Sequence, residues 1–230
     1  AASARLSLLQ MVSGGVTCIN DMGSVHHTRA IGDVLETTGI RAIFGKALMD
    51  QGEGVPAGLM DTTSNAIAES IRLSERFEGA GDGRLHVSLA PRFVLSCSDA
   101  LWGEVARVSE ERGMLVHTHL SESPCEGEAV HASVQTTAAR YFAQNDVLGP
   151  RFVAAHGIWL DDEEMELLAE RDAALVHCPS ANFKLGSGLA NVRAWRDNGI
   201  RCGIGADGAP CNNRLDTFHE MSLAAKTSRV

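Results

Sequence analysis

No two of the six cysteines (Cys18, Cys97, Cys125, Cys178, Cys202 and Cys211) stand in Cys-x-x-Cys spacing. A structural zinc knuckle needs that spacing and a disulfide framework needs a short cysteine-dense chain, so both are disfavoured, and a reducing cytoplasm is the expected location. The chain also lacks an apolar run long enough to span a bilayer and a charged-then-apolar leader, which excludes a membrane from the expected partners. Basic charge is in deficit: 20 Lys and Arg stand against 29 Asp and Glu, a net charge of −9. A phosphate backbone is the wrong partner for such a chain, so nucleic acid is excluded and a small neutral or cationic substrate fits. There is no internal repeat, low-complexity tract or long linker. Gln51 to Gly58 reads as a loop at a strand's exit.

With 44% hydrophobic residues, 230 residues hold enough apolar surface for a sizeable core, and residues 1–230 are read as one domain, or most of one. Ala1 to Gln10 reads as the interior of an amphipathic helix with neither initiator Met nor cap, and the expectation is that sequence precedes it. Beyond it, short apolar runs alternate with helical stretches, as parallel strands joined by crossover helices do. Strands are expected at Gly15 to Asp21, Arg41 to Leu48, Leu85 to Pro91, Met114 to Leu120, Phe152 to Leu160, Ala174 to Cys178 and Arg201 to Ala206. Helices are expected at Thr62 to Arg76, Ser98 to Arg112, Val130 to Gln144, Asp161 to Arg171 and Asn191 to Asn198. Ser98 reads as an N-cap and Gly113 as a C-terminal stop, while Asp161 opens an acidic first turn.

Polar residues gather at one end of these strands. His117-Thr-His-Leu-Ser-Glu122 follows the apolar Met114, Leu115 and Val116, and a strand sends His117 and His119 to the same face. Glu122 falls just past the strand end. His156-Gly157 belongs to the next strand, His177-Cys-Pro-Ser180 ends the third, and Asp207-Gly-Ala-Pro210 ends the fourth. A parallel barrel assembles its site from strand C-terminal ends and the loops after them. An open doubly wound sheet would show a glycine-rich loop after its first strand, whereas Gly14-Gly15 precedes one. The expected fold is therefore an α/β TIM-barrel type, (β/α)8, incomplete at about seven strands.

His119-x-x-Glu122, Ala155-His-Gly157, His177-Cys-Pro-Ser-Ala-Asn-Phe-Lys-Leu-Gly-Ser-Gly188 and Gly205-Ala-Asp-Gly208 together resemble the strand-five to strand-eight signatures of the amidohydrolase superfamily. The branch they are most similar to holds guanine deaminases, adenosine-derivative deaminases and triazine hydrolases. Four motifs in the right order are far more specific than any one, and the resemblance runs from about Gly14 to the C-terminus. The family's first-strand His-x-His pair and its small β-sandwich are absent from these residues.

The resemblance implies one divalent metal, zinc first and iron as the alternative, held by few ligands so that a coordination position stays open for water. His119 and Asp207 are the implied ligands. His156 would sit beside the metal and donate a hydrogen bond to the water, or be a direct ligand. Glu122 would move a proton from the water to a ring nitrogen of the substrate, and Asp207 would hand the next one to departing ammonia. Pro91-Arg-Phe93 is similar to the guanine deaminase pattern. Arg92 offers paired donors to the heterocycle and Phe93 an aromatic face, although an ion-paired Arg and a core Phe remain the alternative. Asp207-Gly-Ala-Pro-Cys-Asn-Asn213 looks more like the nucleoside and triazine members.

The implied activity is a carbon–nitrogen hydrolase: a metal-dependent deaminase of a small amino-substituted heterocycle, with guanine, an oxidised guanine or an adenosine derivative as substrate. The alternatives are an s-triazine hydrolase, or a non-catalytic fragment with an incomplete metal site. Oligomeric state is not written in the residues, although barrel enzymes of this kind often form a homodimer. His26-His27 is read as a solvated loop pair, His177 as a minor supporting group, and Asn182 and Lys184 as holding their loop. Trp102, Trp159, Trp195 and the cysteines are read as packing.

Overall fold

In this computed structural model, which describes residues 1–228, the contacts sort the chain into two units: Ala1–Arg5 with Thr17–Thr118, and Leu6–Val16 with His119–Val230. In the first unit β1 (Cys18–Asp21) pairs in parallel with β2 (Arg41–Leu48), and β2 with β3 (Leu85–Pro91). Then β3 pairs with β4 (Val116–Leu120) through Leu89 and Val116, and the boundary between units falls inside β4, after Thr118. In the second unit β5 (Phe152–His156), β6 (Ala174–His177) and β7 (Arg201–Ile204) pair in parallel in chain order. All seven expected strands form, one fewer than closes an eight-stranded barrel.

The longer helices of the first unit are α2 (Thr28–Thr38), α3 (Thr63–Phe77) and α4 (Asp99–Arg112), while α1 (Ala2–Ser13) has its first residues in one unit and the rest in the other. The second unit holds α5 (Pro124–Val134), α6 (Ala138–Gln144), α7 (Asp162–Glu170), α8 (Pro179–Leu185), α9 (Val192–Asp197), α10 (Ala209–Asn212) and α11 (Thr217–Thr227). The caps explain several starts. Ser98 Oγ accepts from the amide of Leu101 at 3.2 Å and opens α4, and Asp161 forms a reciprocal capping box with Glu164 ahead of α7.

Among the boundaries that differ from expectation, three have a clear backbone reason. Strand β1 starts at Cys18 because Gly14 and Gly15 close α1 instead: their amides bond back to Gln10 and Val12, and Gly15 is left-handed at φ 84°. Strand β5 ends on His156 because two successive residues, His156 and Gly157, have positive φ, 76° and 53°, and the extended run cannot continue through them. The single helix expected over Val130 to Gln144 is two, broken where Gln135 turns left-handed at φ 56°.

Each unit has its own buried side chains. In the first, Phe44 on β2 meets Phe77 on α3 edge to face at 5.5 Å, among Leu35, Leu48, Leu85, Leu89 and Trp102, all fully buried. In the second, Phe142 and Phe152 lie 5.4 Å apart and Leu168, Leu175 and Trp195 fill the rest. Each such side chain contributes about 1.5–3 kcal/mol by leaving water. One charge sits in the first core: Lys46, 1% exposed, donates to the carbonyl of Val25 and reaches Asp61 at 3.0 Å and Glu69 at 2.8 Å. Burial works against the Asp61 carboxylate, but bonds from Asn65, Lys46 and the Thr62 amide outweigh it and hold its pKa below the usual range.

The packing reading of the cysteines and tryptophans holds only in part. Cys97 and Cys178 are buried, but Cys18, Cys125 and Cys202 are exposed. Cys18 and Cys202 lie on β1 and β7, whose burial patterns show no enclosed face. Trp102 and Trp195 are core residues, whereas Trp159 is 52% exposed, because it lies past the turn at His156-Gly157.

Candidate active site

The second unit brings His119, Glu122 and His156 together. His119 and His156 stack with ring centroids 5.4 Å apart and planes 19° from parallel. Two strand ends produce this. The amide of Gly157 donates to Leu120 O at 2.8 Å, and those of Ile158 and Trp159 both donate to Ser121 O at 3.1 Å, so the turn after β5 is stitched to the end of β4. Left-handed backbone at His156 costs a non-glycine residue roughly 1–2 kcal/mol, and it is held by this stitching.

His156 is 1% exposed, and its Nδ1 lies 2.8 Å from Asn182 Oδ1. With an amide oxygen as acceptor, Nδ1 carries the hydrogen, so Nε2 is the atom left for chemistry. Nε2 faces Glu122 Oε2 at 3.8 Å, too far for a direct hydrogen bond and close enough for one bridging atom. Donation from Nε2 requires the charged ring, because Nδ1 has already given its hydrogen to Asn182.

Glu122 is fixed from two sides. Its amide donates to Glu126 Oε2 at 2.8 Å, and its Oε1 accepts from Ser187 Oγ at 2.9 Å. Burial pushes the Glu126 carboxyl up, against two backbone amides that favour its charged form. Glu126 also belongs to the first turn of α5, which Ser123 caps.

Asp207 follows β7 in left-handed backbone at φ 60°, and its Oδ1 accepts from the amide of Gly208 at 2.6 Å. Asp207 and Glu122 act electrostatically on the same two thiols. Burial first, then the charges of Asp207, Glu220 and Glu122, push Cys178 up; burial, Asp207 and Glu122 raise Cys211. Both carboxylates lie within electrostatic reach of these thiols, which are held protonated.

Lys184 holds its loop as expected, donating to Pro210 O and Asn213 Oδ1 at 2.6 Å each. Buried Glu220 on α11 accepts from the Ser180 amide at 3.1 Å and from Asn212 Nδ2 at 2.8 Å. His177 is buried edge-on to Trp195 at 6.2 Å. Burial lowers its pKa, which keeps it neutral, and its Nδ1 has no hydrogen-bond partner among the described residues.

In the first unit Arg92 is exposed at the end of β3, its guanidinium 5.3 Å from the Phe93 ring centre. The Thr118 hydroxyl donates to Arg92 O at 3.2 Å and the Arg92 amide to Leu48 O at 3.2 Å, so the backbone of this segment is pinned. His27, exposed in left-handed backbone ahead of α2, fits the solvated reading.

Among the described residues no three His, Cys, Asp or Glu side chains are grouped to hold a metal. His119 and Asp207 have the right chemistry, a neutral imidazole and a carboxylate, but supply two donors where zinc takes four. The residues present fit part of such a shell. Sequence reasoning missed Glu126, Ser187 and the His156–Asn182 bond. Ser187 lay inside the Leu-Gly-Ser-Gly188 motif, and only the fold of that loop reveals its partner.

The sequence profile of the amidohydrolase family matches residues 1–230. The chain belongs to that family. As an amidohydrolase it is 35% identical over 231 residues to the 5'-deoxyadenosine deaminase of Methanothermobacter thermautotrophicus, covering 100% of this chain and 52% of that protein. It is 36% identical over 225 residues to the 5-methylthioadenosine/S-adenosylhomocysteine deaminase of Bacillus cereus, covering 97% and 50%. Among solved structures, the guanine deaminase from C. acetobutylicum with bound guanine superposes with a TM-score of 0.92 at 25% identity, over 98% of this chain and 54% of the other. An adenosine deaminase from Xanthomonas campestris with bound zinc gives 0.90 at 26%, over 98% and 50%. The amidohydrolase chain thus spans about half the length of the relatives it matches, and its fold is an incomplete TIM barrel of seven parallel strands.

Proposed function

We propose that this chain is the larger part of the catalytic barrel of a metal-dependent aminohydrolase, which replaces the exocyclic amino group of a purine derivative by oxygen and releases ammonia. The observation that carries the reading is the Glu122 carboxylate: one oxygen held by Ser187, the other 3.8 Å from His156 Nε2. Such a carboxylate can take and return a proton without moving its anchor.

His119 and Asp207 would hold the metal, zinc by analogy with the zinc-bound adenosine deaminase it resembles. When bound, the ion supplies a Lewis acid that makes water a nucleophile at neutral pH. Glu122 accepts a proton from the attacking water and passes it to a ring nitrogen as the amino-bearing carbon becomes tetrahedral. His156, oriented by Asn182, donates from Nε2 to the oxygen being added, and Asp207 takes the remaining proton of the added hydroxyl and hands it to the departing ammonia as the carbon–nitrogen bond breaks. Arg92 and Phe93 are proposed to hold the heterocycle by paired donors and an aromatic face. Location in the cytoplasm and pairing as a homodimer belong to the same proposal.

Adenosine derivatives altered at the 5' position are the favoured substrates, since relatives named for them share 35–36% identity along almost the whole chain, against 25% for the guanine deaminase. The experiment is ammonia release by the full chain with zinc from 5'-deoxyadenosine, 5-methylthioadenosine, guanine and amino-triazines. Turnover highest on the two nucleosides is expected. Release from triazines alone would overturn the purine assignment.

A further inference from the structure

The loop after α8 does more than link two elements. Ser187 is 5% exposed, although it lies between two glycines. Its carbonyl accepts from Trp159 Nε1 at 2.8 Å and its amide donates to Asn182 O at 2.8 Å. The next residue, Gly188, adopts φ 129°, and a Cβ there would meet Ile158 Cγ2 at 3.0 Å and the Trp159 ring at 3.2 Å. Backbone and neighbours therefore fix Ser187 at three points, with its hydroxyl aimed at Glu122 Oε1, 2.9 Å away. Asn182, one of those points, also holds His156 Nδ1 at 2.8 Å, so one short segment sets both partners across the 3.8 Å gap from His156 Nε2 to Glu122 Oε2.

We infer that Ser187 is a positioning residue for proton transfer: its hydroxyl ties down Oε1 of Glu122, so that Oε2 alone faces His156 and the reacting atoms. The inference deepens the aminohydrolase reading and rests on Glu122 being its proton carrier. Ser187 forms no bond to substrate. It removes the rotation by which the carboxylate would exchange its two oxygens and leave the productive geometry, and pre-organisation of that kind raises kcat without changing substrate binding. The exposed Trp159 is then explained as well, as the donor that holds the Ser187 carbonyl.

The test is a double-mutant cycle on the full zinc-loaded chain, with the nucleoside it turns over fastest. Ser187→Ala is expected to lower kcat about tenfold, the worth of a hydrogen bond to a charged group, and to leave KM within about twofold. Ser187→Thr, which keeps the hydroxyl, is expected to recover most of the rate. In a Glu122→Ala background Ser187→Ala is expected to cost nothing further. Full kcat in Ser187→Ala, or the same tenfold loss in both backgrounds, would overturn the inference. If the wild-type chain releases no ammonia from any substrate, the functional reading fails and the same four proteins are compared by urea unfolding. Midpoints that depart from additivity then support the Ser187–Glu122 link, and additive midpoints refute it.

Discussion

Glu122 has two oxygens in different surroundings, and that asymmetry is the smallest unit of this site. Oε1 meets a fixed hydroxyl, while Oε2 meets an imidazole across a gap one atom wide. His119 and Asp207 differ from it in kind: neither geometry nor partners point to proton transfer as their first task, and their donor chemistry suits a metal. Replacing either by Ala is expected to lower zinc content below that of wild type, measured by elemental analysis of zinc-loaded protein, whereas Glu122→Gln leaves it at the wild-type level. Zinc retained in both Ala variants would remove them from the ligand set. At this scale the sequence was generous. His119-x-x-Glu122 is a spacing, and a strand end converts it into adjacency. Asn182 against His156 was not legible, because 26 residues separate two atoms that meet only once β5 and α8 are in place.

Between residues and the whole chain, the loops after the strands carry the site, and their glycines decide their shape. The segment Gly186-Ser-Gly188 turns back on Trp159 only because position 188 has no side chain. Gly188→Ala is expected to cost about 1–3 kcal/mol in urea unfolding, from left-handed strain plus a crowded Cβ, and to lower turnover with it by displacing Ser187. A variant with wild-type stability would show that the loop accommodates a side chain. Strand positions were legible from apolar runs, and β2 and β3 match their expected limits residue for residue. Helix α2 was not foreseen, and the break at Gln135 left no mark in the pattern, since neither glycine nor proline stands there. A left-handed glutamine is a tertiary decision.

For the molecule as a whole, strand order and the C-terminal clustering of polar groups were readable because parallel strands with crossover helices leave few topologies and place their chemistry at one end. The substrate was less readable. Arg92-Phe93 pointed to guanine and the residues after Asp207 to the nucleoside and triazine members, and the proposal of a nucleoside rests on likeness to deaminases named for them along the chain. The account stands or falls on Glu122 as the proton carrier. The most direct measurement is kcat of Glu122→Gln in the full chain at confirmed zinc occupancy, with 5'-deoxyadenosine as substrate. A loss of about 10²–10⁴-fold with zinc content unchanged is the predicted result. Wild-type turnover in that variant would contradict it.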